Sequence, residues 1–129
     1  MAHAPNKNPR SVLYVDDDGQ VRTLVGILLQ HAGFTPIEAR TCAEAQRALS
    51  VETPRLVVLD INLPDGNGFN LAETWRRDGH DSLPILFISG DEPTRCQAQA
   101  EKLNAVFLHK PFKAQKFLEL VSSLVKGQE

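Results

Sequence analysis

Four stretches of this chain run apolar like buried strands, and each ends on residues able to do chemistry: Asp16 and Asp17 after SVLYV, Asp60 after RLVVL, Ser89 after LPILFI and Lys110 after AVFLH. In a sheet of parallel strands all the carboxyl ends lie on one edge, so residues 44 and 50 positions apart in the chain are expected to gather around one small crevice. Three carboxylates, a hydroxyl and an ammonium would share it. Like-charged carboxylates at about 4 Å repel by roughly 1 to 4 kcal/mol for effective dielectrics between water and a protein surface, so something must compensate. A hard divalent cation is the natural candidate: Mg²⁺ accepts one or two carboxylates, keeps several waters and leaves places for phosphate oxygens. Calcium would call for a dedicated oxygen-rich loop of the D-x-D-x-D-G type, and zinc for clustered His or Cys, and the chain has neither. The other reading of Asp16, Asp17 and Asp18 is a solvated loop capping a helix, and for Asp18 the capping role is the expected one.

The elements that must position these residues alternate along the chain. MAHAPNKNPR is polar, carries two prolines and shows no period, so residues 1–10 are expected to form a flexible arm outside the fold. Residues 11–15 read as β1, and Val21, Leu24, Val25 and Leu28 mark an amphipathic α1 that Gly33 can end in the left-handed conformation. Residues 34–38 suggest β2; Cys42, Ala45 and Leu49 give α2 a modest stripe before Pro54 stops it. Residues 56–59 form a continuous aliphatic β3, as expected for a strand covered on both faces, and the loop NLPDGNG leads into α3 around residues 71–75. Pro84 opens β4 at residues 85–88, α4 follows at about 94–103, β5 spans 105–108, and Phe117, Leu120, Val121 and Leu124 mark α5. Five strands alternating with five helices call for an α/β domain with a parallel sheet and helices on both faces. The commoner order for five strands is the flavodoxin-like 2-1-3-4-5 of a (βα)5 fold, which sets the ends of β1 and β3 side by side and makes Asp16, Asp17 and Asp60 neighbours.

Composition narrows the function classes. With 129 residues and 42% hydrophobic content the chain fits a single domain, here residues 11–126. A net charge of -2 and the lack of any Lys/Arg run argue against nucleic-acid or anionic-lipid binding by this segment. Cys42 and Cys96 lack redox or zinc spacing, and no signal peptide or stretch of membrane-spanning length is visible, so a soluble protein of the reducing cytoplasm is expected.

In order and spacing, LYVDDD, VVLDINLPDGNGF, ILFISG and VFLHKPF resemble the receiver domain of bacterial two-component response regulators, over about residues 11 to 126. The resemblance implies that Asp60 accepts a phosphoryl group from a histidine kinase or histidine phosphotransfer protein. Asp17 resembles the direct Mg²⁺ ligand and Asp16 the one acting through water, with the main-chain carbonyl of Asn62 and Asp60 itself completing the protein's share; Mn²⁺ can take the same place. Lys110 would pair with Asp60 and then with a phosphoryl oxygen, and Ser89 would hydrogen-bond the phosphoryl group and draw the β4–α4 loop inward. Phe107 stands where the family carries an aromatic switch residue, with an ordinary core Phe as the plain alternative. The Lys110–Pro111 bond resembles the family's cis peptide. Asn62 and Asp91, each two residues beyond a site residue, flank the path of attacking water and are expected to tune the phosphoryl lifetime, with Gly90 leaving that path open.

The segment TRCQAQAEKL has few large apolar residues, so α4 is expected to dock weakly, and the α4-β5-α5 face is where family members usually meet a downstream protein or a dimer partner. An exposed helix without a partner accounts equally well for that segment. Two other functions fit the residues poorly. A phosphate-ester hydrolase using Asp60 would want a second acid two residues on, where the chain has Asn62; a flavodoxin-like FMN carrier would want a Ser/Thr/Gly-rich loop after β1, where it has three aspartates. The chain ends soon after α5, so the output it controls, and whether it stands alone or belongs to a longer protein, is not written in these residues.

Overall fold

The structure is a computed structural model and describes residues 6–126. Its central sheet has five parallel strands, β1 (Asn6–Val15), β2 (Thr35–Ala39), β3 (Glu52–Asp60), β4 (Ile85–Ser89) and β5 (Val106–His109), in the expected order 2-1-3-4-5. Five helices join them: α1 (Gly19–His31), α2 (Cys42–Val51), α3 (Gly68–Arg77), α4 (Pro93–Lys102) and α5 (Ala114–Lys126).

Alternation along the strands builds two cores, because successive side chains point to opposite faces. Leu13, Val15, Val57, Leu59, Ile85 and Phe87 face α2, α3 and α4, which contribute Ala45, Leu49, Ala72, Trp75, Cys96 and Ala100. Val12, Tyr14, Leu56, Val58, Leu86 and Ile88 face α1 and α5, which contribute Val25, Leu29, Phe117 and Val121. Both faces are thus covered, and this is why the strand sequences read as unbroken apolar runs.

Several boundaries differ from expectation, each for a physical reason. Asn6–Arg10 continue β1 instead of belonging to a loose arm, while residues 1–5 lie outside the described residues. The extension pairs Asn6, Lys7 and Asn8 with Glu52, Thr53 and Pro54, and a register shift between Asn8 and Val12 takes up Pro9, which has no N–H to give a ladder. The side-chain amide of Asn8 adds a 2.9 Å bond to Glu52. β3 accordingly begins at Glu52 with Pro54 inside it, so α2 ends at Val51 without proline's help. On α1 the buried stripe is Val25 and Leu29; Leu24 is 46% exposed. Gly33 does follow α1 with φ +94°, the left-handed region that glycine occupies without steric penalty.

Phe117 anchors α5: it is fully buried in the core beneath α1 and α5, and its ring stacks on Phe112 at 5.4 Å between centroids. Phe117→Ala should destabilise the fold by about 3–5 kcal/mol, the range for emptying a buried aromatic site. Chemical denaturation checks it, and a loss below about 1 kcal/mol would mean that α5 is held by other contacts.

Candidate functional site

Asp16, Asp17, Asp60, Ser89 and Lys110 sit where a strand hands over to a loop. Asp16 follows β1 and is fully buried. Its Oδ1 accepts the Asp18 N–H at 2.9 Å; its Oδ2 accepts from Lys110 Nζ at 2.8 Å and from the Tyr14 hydroxyl at 3.3 Å. Asp17 is exposed, and Asp18 has turned away to cap α1 by accepting the N–H groups of Gln20 and Val21, as its residue type favours. One turn into α1, Arg22 donates to the main-chain oxygen of Asp16 at 2.9 Å and steadies the loop from the far side.

Asp60 closes β3 and is only 6% exposed. Its Oδ2 lies 3.2 Å from Lys110 Nζ, and its Oδ1 accepts the Asn62 N–H at 3.3 Å. Oxygens of Asp16, Asp17 and Asp60 all fall within 4.8 Å of one another. Burial pushes the Asp60 carboxyl up and the charge of Asp16 adds to it; Lys110 pulls the other way, and the result is about 6 against an ordinary 3.8. An ion-paired carboxylate is usually pulled down, but here one ammonium serves two buried acids and makes its shorter bond to Asp16. Burial works against the charge of Lys110 too, yet hydrogen bonding to Asp16 and the attraction of both acids outweigh it and hold the ammonium above its ordinary range.

Three carboxylates against one ammonium leave an acidic excess, and one of the three, Asp17, opens onto solvent. An all-oxygen donor set without His or Cys suits a hard divalent cation that retains water, so the residues present fit Mg²⁺.

The rim beside Asp60 is tied by a short chain of hydrogen bonds. Ser89, buried at the end of β4, accepts the Asp91 N–H on its hydroxyl at 3.0 Å, and the Asp91 carboxylate accepts the side-chain amide of Asn62 at 2.9 Å. Phe107 is half-buried in β5 against the α2–α4 core, its ring 6.3 Å from that of His109 and outside this hydrogen-bonded set. The Lys110–Pro111 peptide bond is cis. The structure therefore brings Asp16, Asp17, Asp60 and Lys110 together, joins Asn62, Ser89 and Asp91 on an adjoining edge, and leaves Phe107 aside.

Three contributors escaped the reading of the sequence. Residues 62–63 and 66–67 pair as a tiny antiparallel ribbon, and Gly68 behind it donates to Ile61 O at 2.7 Å. Any Cβ at Gly68 would collide with the main-chain oxygen of Asp60, so the second glycine of GNG is required by close backbone approach. Asp65, at the tip of the ribbon, accepts the N–H groups of Cys42 and Ala43 at 2.7 and 3.0 Å and fastens the loop to the start of α2. Tyr14, two residues before Asp16 on the same strand face, reaches the site from below. Strand period could have flagged Tyr14; nothing local to Asp65 names its partner.

A family model described as the response regulator receiver domain matches residues 12–122. The chain belongs to that family. Among curated relatives, this receiver domain is 33% identical over 123 residues to the transcriptional regulatory protein GltR of Pseudomonas aeruginosa, covering 92% of this chain and 50% of GltR. It is 27% identical over 124 residues to the CAI-1 autoinducer sensor kinase/phosphatase CqsS of Vibrio cholerae, covering 93% of this chain and 18% of CqsS. It thus spans half or less of the length of these two relatives. Among solved structures, the receiver domain of NtrX from Brucella abortus superposes with a TM-score of 0.83 at 30% identity, covering 89% of this chain and 98% of the other. Receiver domains act as phosphorylation-controlled signalling switches and generally bind Mg²⁺ through an acidic pocket; in this receiver domain the acidic cluster is Asp16, Asp17 and Asp60.

The raised pKa of Asp60 carries a sign that can be checked. Stability contributed by a carboxyl whose folded value exceeds its unfolded one is fully present below the unfolded value near 3.8 and is lost as pH rises through about 6. Asp60→Asn, neutral throughout, should be more stable than wild type above about pH 6, by on the order of 1–3 kcal/mol, and equal to it below about pH 4. Thermal unfolding in buffers free of divalent cations measures this; parallel curves at all pH values would mean that the buried carboxylate costs nothing.

Proposed function

We propose that Asp60 takes up a phosphoryl group from the phosphohistidine of a histidine kinase or phosphotransfer protein and releases it to water. The observation that carries this reading is the half-buried Lys110 ammonium bridging the buried Asp16 and Asp60 beside an exposed third carboxylate. In the forward step an Asp60 oxygen attacks phosphorus, a P–O bond forms, the P–N bond to the donor imidazole breaks, and its electron pair stays on nitrogen. In the return step a water oxygen attacks phosphorus, the bond to Asp60 breaks, and the carboxylate is restored.

Asp16, Asp17, Asp60 and the Asn62 carbonyl would hold Mg²⁺, which when bound supplies positive charge against the oxygens that crowd together during transfer. Lys110 gives a phosphoryl oxygen a point charge. Ser89 donates its hydroxyl hydrogen to a phosphoryl oxygen, which draws the β4–α4 loop inward. α4 is fastened to the core through Cys96 and Ala100, two small side chains, so it is the helix most easily shifted. Its displacement, with Phe107 turning inward, would remodel the α4-β5-α5 face for a downstream protein, an output domain or a second copy. The proposed setting is the cytoplasm; no helix among the described residues is long and apolar enough to cross a membrane.

Acetyl phosphate with Mg²⁺ should add one phosphoryl mass to the protein, lost on Asp60→Asn and on chelation of the metal. Labelling that survives Asp60→Asn overturns the assignment, and steady turnover of varied phosphate esters would make the protein a hydrolase instead. Because the Asn62–Asp91 bond spans the mouth, Asp91→Ala should speed loss of the label by about two- to tenfold, the worth of one such hydrogen bond. An unchanged decay rate would remove Asp91 from control of the lifetime.

A further inference from the structure

The Tyr14 hydroxyl is a buried polar group that none of the chemistry above uses. The side chain is enclosed in the core beneath α1 and α5, where an aliphatic residue would fill a strand position without bringing an oxygen into the interior. Period two along β1 puts Tyr14 and Asp16 on one face, and the hydroxyl donates to Asp16 Oδ2 at 3.3 Å. That is the same oxygen that Lys110 approaches at 2.8 Å.

We propose that Tyr14 is a positioning residue of the phosphoryl-transfer site, its hydroxyl holding Asp16 Oδ2 when Lys110 is drawn toward a phosphoryl group on Asp60. The proposal rests on the assignment of Asp60 as acceptor. As Lys110 is drawn toward a phosphoryl oxygen its 2.8 Å bond to Asp16 Oδ2 weakens, and the Tyr14 hydroxyl is the other side-chain donor the structure places at that enclosed oxygen. Without the Tyr14 hydroxyl, Oδ2 would keep no side-chain donor once Lys110 moved, a penalty that ties Lys110 to Asp16. With it, the carboxylate stays satisfied and the ammonium is free to shift.

Tyr14→Phe removes only the oxygen. It should slow phosphorylation by acetyl phosphate about three- to tenfold, the effect of one hydrogen bond lost in the step; an unaltered rate overturns the proposal. A second measurement keeps the Tyr14 hydroxyl in place. Tyr14 is the only tyrosine, so biosynthetic incorporation of 3-fluorotyrosine marks this position alone. Its ¹⁹F resonance should shift when Asp16→Asn is introduced, and again when beryllofluoride with Mg²⁺ occupies Asp60. A resonance unmoved by Asp16→Asn, or unmoved by beryllofluoride while the backbone amides around Asp60 respond, overturns the role of Tyr14. If the wild type takes no label on Asp60, the acceptor assignment has failed instead, and the response to Asp16→Asn still decides whether the hydroxyl holds Asp16.

Discussion

One ammonium group is divided between two buried acids, and the arrangement of this molecule follows from that division. Lys110 Nζ sits 2.8 Å from Asp16 and 3.2 Å from Asp60, with Asp16 fully enclosed and Asp60 nearly so. Burying either carboxylate alone would be expensive, and burying both with a single counter-charge leaves the pair under electrostatic stress. That stress shows as the upward displacement of Asp60, and it makes the site receptive to added positive charge. The sheet order is what allows the sharing: β1 and β3 are adjacent, so acids 44 residues apart meet, and Lys110 arrives from β5 across the end of β4.

Surrounding bonds keep the stressed pair in register. Asp16 is held through Oδ1 by its own loop, through its main-chain oxygen by Arg22, and through Oδ2 by two donors of different strength. Asp60 is held from behind by Gly68, whose missing side chain lets the start of α3 press against its backbone. On one flank Asp65 fastens the acceptor loop to α2; on the other, the Ile61 N–H to Ile88 O bond at 3.2 Å, the Asn62–Asp91 bond and the Asp91–Ser89 bond join it to the end of β4.

Much of this was legible in the sequence because strand ends are short-range signals. An apolar run followed by an acid, a hydroxyl or a lysine marks both the strand and its chemistry, and alternation of strands with helices then fixes the sheet order. Cap chemistry was equally readable: Asp18 and Gly33 occupy the positions their side chains suit. What escaped depends on pairing at long range. Asn6–Asn8 look like an arm until Glu52–Pro54 are laid beside them, since neither segment is apolar enough to declare itself. The exposed Leu24 shows the converse: on α1 the apolar residues outnumber the places the core offers, and only packing decides which of them is covered. Asp65 and Tyr14 act through partners that no local pattern names.

The lengthened β1 also fixes the polarity of the molecule. Its ten residues, at roughly 3.3 Å each, put Asn6 about 30 Å from the acidic cluster, at the opposite pole of the sheet. α5 runs back toward that same pole, where Arg55 near the start of β3 grips the carbonyl of Val125 at 2.8 Å. Anything joined to either end of the described chain therefore starts from the base, at the far end of the sheet from the acidic crown. A message written at the crown can reach such an attachment only along the flanks of the domain.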